Sequence, residues 1–287
     1  MLKGVGHLEW VFAKKIVLCL LIVLNVILFF LNSNQIENYN IASHKKTEII
    51  SVLENFGLTL DSSIDLSRTA SARLKVGSFS YTEEVISKAF FQNEPIISTE
   101  NKRGAIAYES DSFLLELSGN TGLFWQKLSP TTQIESEEMA LQVANQMKEQ
   151  LVSVFGELQQ LRFEKTDTGY VVEYFGVYKE NVLFSNYFTI AIGETGKVSM
   201  QFQYFDLIGT EVESKSVIDV DKALFSFVRA FQKEGHITNV TEGYYLSNKE
   251  TAFLEEVELY LEPCYQISLE GDPTIYLIEG YNGEKIV

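Results

Sequence analysis

The 287-residue chain carries 39 acidic side chains against 23 basic ones, a net charge of −16, and 46% of its residues are hydrophobic, with 20 Phe and 14 Tyr. That acidity disfavours nucleic acid and anionic polymers as partners, because binding phosphate needs Lys and Arg. The apolar and aromatic content excludes a disordered chain and suffices for packed cores in one to three domains.

The first predicted element is a membrane helix. Residues 16–31 are apolar except for Asn25 and the small Cys19. As a helix they rise about 24 Å, a little short of the ~30 Å hydrocarbon core. Residues 10–15 extend the run to about 33 Å, with Lys14 and Lys15 reaching the headgroups and Trp10 suited to the interface. A cleaved signal peptide ends in small residues. Here the run exits through Phe29, Phe30, Leu31, Asn32 and Ser33, and the first small pair, Ala42 and Ser43, lies too far downstream. No cysteine stands just after the run to carry a lipid. Residues 10–31 are therefore expected to remain as an uncleaved anchor. Lys3, Lys14 and Lys15 flank its N-terminal side against only Glu9, and no Lys or Arg follows until Lys45. The positive-inside bias then leaves residues 1–9 in the cytoplasm and the chain from 32 onward outside.

Asn25 interrupts the apolar run near its middle. A carboxamide in hydrocarbon seeks a hydrogen bond, which either a partner helix or its own helix backbone can supply. Both readings stay open at this stage.

Beyond the anchor, 256 residues carry 20 basic and 38 acidic side chains, a net −18. A helix is expected over about 45–56, joining the anchor to an exported body. Three segments of that body repeat one pattern: FLLELSGNTGLFWQKL (113–128), FTIAIGETGKVSMQF (188–202) and IYLIEGYNGEKIV (275–287). Each is an apolar run, a Gly-x-x-Gly and a second run, which reads as a hairpin whose turn uses the glycines: Gly119 and Gly122, Gly193 and Gly196, Gly280 and Gly283. A helix signal precedes each hairpin. Thr82 leads a short stripe of Val85, Ile86 and Phe90. Ser136 can cap a helix with Glu137 and Glu138 in its first turn, Val143, Met147, Leu151 and Val154 on one face, and Gly156 as its stop. Ile218-Asp219-Val220-Asp221 repeats the Ile134–Glu137 start 84 residues later and leads Leu224, Phe227, Val228 and Phe231. Strands are expected over 170–178 and 183–192, and again over 253–261 and 264–269.

The fold class that follows is α+β: an N-terminal transmembrane helix, then repeated units of a helix packed on a curled antiparallel sheet. The units are a linker helix with a partial first unit (32–130), a second (131–210) and a third (211–287).

Chemistry is sparse in this sequence. It contains no His-Glu-x-x-His, Cys-x-x-Cys, Gly-x-Ser-x-Gly or phosphate-cradling loop, so no metal and no cofactor are expected. Cys264 and His236 could form a nucleophile–base pair, but Cys264 beside Pro263 reads better as a small buried residue. The acidic pairs Glu83/Glu84, Glu137/Glu138 and Glu255/Glu256 could suggest a calcium or glycosidase site. Two of the three are accounted for by the positive end of a helix dipole. The expectation is a protein that is not an enzyme.

Glu9-Trp10, Lys14 and the apolar helix bearing Leu24-Asn25 resemble the opening of the YycI family. These are membrane-anchored regulators of a Gram-positive two-component system for cell-wall homeostasis. The family pattern is an acidic residue and Trp, a Lys about four residues on, then an apolar helix with Leu-Asn. Pro263-Cys264-Tyr265 through Gly280-Tyr281-Asn282-Gly283 is similar to that family's closing strands, with Tyr265 where a Trp is usual. The resemblance implies a regulator that associates, through its membrane helix, with a WalK-type (YycG) sensor histidine kinase and a YycH-type protein. Carried over by position, Trp10, Lys14, Leu24 and Asn25 would form that contact. The sign of regulation does not carry over. A different class of function, an exported module that binds an envelope component with the helix as passive tether, stands beside it.

Overall fold

The computed structural model describes residues 17, 20, 21, 24 and 25, then 43–64, 66, 72–100, 104–127, 133–211, 216–247 and 258–286. Among the described residues no helix is long and apolar enough to cross a membrane, and the 10–31 segment lies outside them except at those first five positions.

The chain is a mixed α+β structure built on one large, mostly antiparallel sheet. Helix α1 (Ser43–Glu54) leads into β1 (Leu58–Leu60) and β2 (Arg73–Ser78). Then come α2 (Glu83–Phe90) and four strands, β3 (Ile97–Glu100), β4 (Ile106–Glu109), β5 (Phe113–Ser118) and β6 (Thr121–Gln126). Helix α3 (Glu137–Phe155) precedes β7 (Leu158–Thr166), β8 (Gly169–Tyr178), β9 (Asn181–Gly193), β10 (Val198–Gln203) and β11 (Phe205–Glu211). Helix α4 (Val220–Phe231) precedes β12 (Gly235–Leu246), β13 (Leu259–Leu269) and β14 (Tyr276–Glu279). The strand order is β11-β2-β13-β12-β9-β10-β6-β5-β4-β3, with β8 and β7 continuing from β9, β1 on β12 and β14 on β13.

Helix starts follow side-chain chemistry. Thr82 and Ser136 each accept a backbone N–H from their third following residue, Val85 and Met139, both at 3.3 Å. The third start is shifted by one residue relative to the 84-residue repeat, because Val220 stands where Ser136 does and has no oxygen to offer. Asp219 takes the cap position there without a side-chain cap bond. Gly156 ends α3 at φ +81°, a conformation that suits glycine.

Two large cores divide the body differently from the 32–130, 131–210 and 211–287 units. The first is shared: Ile86, Ala89 and Phe90 of α2 pack with Phe124 of β6, Phe202 of β10 and Leu151 and Phe155 of α3. The 130/131 boundary therefore runs through a single hydrophobic core. The eight-residue helix α2 is too short to cover the sheet beside it, and α3 supplies the rest of the apolar cover. The second core gathers Ile49 and Leu53 of α1 and Leu58 of β1 with Leu224 and Phe227 of α4 and Ile267 and Ile278 of β13 and β14. Helix α1 thus belongs with the C-terminal elements, tied in through the parallel pairing of β1 with β12.

The 253–261 and 264–269 strands are not separate. Residues 253–257 lie outside the described part, and the rest is the single strand β13, running through Pro263. Proline is tolerated there because the neighbour changes at that point: β2 pairs with 259–261 and β14 with 264–267. The missing N–H falls in the gap.

Strand β9 changes neighbours at a bulge. Val182 and Leu183 pair with β12, while residues from Tyr187 onward pair with β10, and 184–186 have no register partner in β8. Side chains of the bulge do the joining. Ser185 Oγ accepts the Leu246 N–H at 2.7 Å, and buried Asn186 accepts the Phe205 N–H at 3.1 Å while donating to the Phe205 carbonyl at 3.0 Å.

Candidate functional site

Trp10 and Lys14 lie outside the described residues. Leu24 and Asn25 are described, and both are helical and exposed. Leu20 is 63% exposed and Leu24 52%. The Asn25 carboxamide donates to the Leu21 carbonyl one turn back, at 3.0 Å. That bond uses one of its two N–H groups, so the second N–H and Oδ1 remain for another partner among groups beyond the described residues.

The paired glycines divide their work. Gly119, Gly196 and Gly283 adopt φ of +57°, +75° and +73°, the left-handed region that turns demand. Their partners do something else. Gly122 lies in β6 beneath the Phe202 ring, and Gly280 packs against Pro263, whose carbonyl would be 2.6 Å from an added Cβ. Gly193 ends β9, where its N–H donates to the Lys197 carbonyl at 2.9 Å. The glycine pairs are structural, one for the turn and one for close packing or strand closure.

Cys264 and His236 do not meet. Cys264 pairs across the sheet with Gly243, seven residues from His236 along β12, which is roughly 23 Å. Burial among Phe184, Val182 and Leu277 pushes the Cys264 thiol well above its usual range, so it is a poor nucleophile. His236 instead touches Thr59, its Nδ1 lying 2.8 Å from Oγ1, with Asp61 Oδ2 3.8 Å from Nε2. Glu83/Glu84 and Glu137/Glu138 occupy first turns of α2 and α3, and Glu255/Glu256 lie outside the described part. The Ser136 side chain, hydrogen-bonded to Glu138, holds that carboxyl below the usual range. Among the described residues no group of three or more His, Cys, Asp and Glu is placed to hold a metal ion.

A groove of about 420 Å³ runs between α3 and the β5–β6 hairpin. Its walls are Met139, Val143 and Met147 of α3 and Phe113 and Phe124 of the hairpin, and its rim is Gln142, Gln146 and Gln150. Helical periodicity alone assigns Val143 and Met147 to the core. Leu151 is indeed fully buried and Val143, Met147 and Val154 are partly buried against the same core, but the deepest positions of α3 also include Ala140, Ala144 and Phe155, the two alanines letting the helix approach the sheet. The available signals were the Ala140/Ala144 pair and the uncharged glutamine stripe on an otherwise acidic chain.

No protein-family model and no curated protein matches the chain. Several solved structures are weakly similar in shape, two of them as follows. A crystal structure of an uncharacterized protein from Eubacterium rectale ATCC 33656 is 14% identical with a TM-score of 0.49, covering 84% of this chain and 98% of its own. The Bacillus megaterium YpeB C-terminal domain is 11% identical with a TM-score of 0.42, covering 73% of this chain and 96% of its own.

Proposed function

We propose that this chain is a membrane-anchored, extracytoplasmic regulator of the YycI type, acting on a sensor histidine kinase that controls cell-wall homeostasis. Its helix over 10–31 packs beside a transmembrane helix of a WalK-type kinase and of a YycH-type protein. The acidic body outside biases the two signalling states of the kinase. It is not an enzyme on this reading, and nucleic acid is not a partner.

The observation that carries the reading is Asn25, helical and exposed within an apolar run, whose carboxamide keeps hydrogen-bonding capacity after serving Leu21. An interhelical bond of that kind contributes about 0.6–2 kcal/mol, or roughly three- to thirty-fold in pairing. Regulation is then a difference in affinity for two kinase states. The test is co-purification of the kinase, together with output from a kinase-dependent reporter, for Asn25→Leu and for a scrambled 16–31 segment. Reduced pairing and altered output support the proposal; unchanged pairing and output defeat it.

A second reading, an exported binding module on a passive tether, is favoured by the groove along α3. A soluble body from residue 32 onward that fully restores the phenotype of a deletion strain would select it.

A further inference from the structure

On the face of the sheet away from α3, four side chains form one row across β6, β10, β9 and β8. Register aligns Trp125 with Ser199, Ser199 with Ala191 and Ala191 with Val171. Two small residues between a large indole and a valine leave a trough. The tips of the β7–β8 and β9–β10 hairpins wall it, giving a cavity of about 580 Å³ that shares Thr166, Glu194 and Thr195 with a neighbouring one of about 350 Å³. The wall is preformed: the Glu194 N–H donates to the Thr168 carbonyl at 3.3 Å, and the Ile134 N–H to the Glu194 carbonyl at 2.8 Å.

We propose that this trough is a binding site for a neutral oligosaccharide. Trp125 is the only tryptophan beyond the 10–31 segment, and it is half-buried at the trough's end with its ring as a wall. An indole face suits the C–H face of a sugar ring, and its N–H is a hydrogen-bond donor. The hydroxyls of Thr166, Thr168, Thr195 and Ser199 and the carboxylates of Asp167 and Glu194 surround it. Among the described residues none of these six side chains is engaged in a hydrogen bond or ion pair with another protein group. A dense set of unspent donors and acceptors around one aromatic face matches a polyol, within the size range of small-ligand sites.

Charge and topology exclude the competitors. Glu135, Asp167 and Glu194 outnumber Lys165 and Lys197 across the two cavities, which repels a phosphate-rich polymer. Strands β6, β10, β9 and β8 are each paired on both sides, so no free edge is offered to an extended peptide.

The test uses the full chain in lipid nanodiscs, which avoids sugar-headed detergents, titrated calorimetrically with cellotriose and with triacetylchitotriose. The expected result is saturable binding of at least one trisaccharide that weakens at least about fivefold in Trp125→Ala and also weakens in Asp167→Ala and Thr168→Val. Asp167 and Thr168 are exposed at a hairpin tip, so those variants keep the test sound if Trp125→Ala fails to fold. No saturable heat with either sugar, unchanged affinity in all three variants, or tighter binding of poly(glycerol phosphate) would each overturn the site. Neither the kinase nor the helix contact enters this measurement, so its failure leaves the proposed regulation standing, and the reverse holds too.

Discussion

Asn186→Leu isolates what holds the sheet together at the β9 bulge. Asn186 is 2% exposed and Phe205 3%, and the two exchange a pair of hydrogen bonds at 3.0 and 3.1 Å. The Phe205 N–H has a single hydrogen, and it is spent on Asn186. Leucine keeps the branching and heavy-atom count of asparagine but is bulkier and has no polar atoms, and it shuts water out, so both Phe205 groups lose the bond in a buried setting. Each such loss costs about 1–3 kcal/mol, hence about 2–6 together. Burying leucine returns about 1.5–3 kcal/mol. The expected net is a loss of about 2 kcal/mol, or roughly 4–8 °C in Tm for a chain of this size. Thermal melts followed by circular dichroism measure it. Gln203→Leu is the internal comparison, since Gln203 donates to the Ser185 carbonyl at 3.0 Å from a half-exposed position where water can replace it. That variant is expected to stay within about 0.5 kcal/mol of the parent. A leucine at 186 that leaves Tm unchanged or raises it would refute the reasoning.

Gly122→Ala would press a Cβ into the Phe202 ring and against Leu117, so a loss of about 1–3 kcal/mol is expected in the same melts. Gly119→Ala has open space around it but must hold φ +57°, so it should lose only about 1–2 kcal/mol, through backbone strain alone. In a Cys19→Ser background, Cys264 should resist a thiol reagent in the native state and react fully in denaturant, because burial both hides the thiol and raises its pKa. Asp272 is held well below the usual carboxylate range by hydrogen bonds from Thr274 and from Tyr276 OH, the latter at 2.6 Å. A depressed folded-state pKa contributes stability that is present above the unfolded value of about 3.9 and is lost as pH falls through the folded one. Tm should therefore fall less steeply below pH 4 in Asp272→Asn than in the parent.

Local chemistry made some of this structure legible in sequence and left other parts hidden. Helix starts at Thr82 and Ser136 and the stop at Gly156 are written in one or two side chains each, so they could be read directly. The turns at Gly119, Gly196 and Gly283 likewise need only a glycine at a short connection between apolar runs. Long-range pairing was not legible. Nothing within residues 73–78 says that β2 leaves its neighbours α2 and β3 to sit between β11 and β13. Nor does α1 announce that it packs on α4, more than 160 residues away, because an apolar stripe specifies burial but not a partner. The trough at Trp125 is the extreme case, since its row of side chains exists only once four strands are in register.

The same connectivity bears on how a contact in the bilayer would reach the outer body. Helix α1, which follows the proposed anchor segment, packs in the second core with α4 and β13. The trough at Trp125 and the groove along α3 both belong to strands and helices of the first core. Among the described residues the sheet is continuous between the two cores through two residue pairs of β9 with β12, and β2 adds three more with β13. Buried side chains also pack across these seams, Leu183 and Phe205 with Tyr244 and Leu261, and Phe184 with Cys264, and Ser185 and Asn186 stiffen the bulge at 184–186 through their bonds to Leu246 and Phe205. If signalling requires the two cores to move as one body, Asn186→Leu should leave kinase co-purification intact at a permissive temperature and still change the reporter's response. Scrambling 16–31 should instead abolish both. Unaltered output from folded Asn186→Leu would mean that the helix alone carries the regulation.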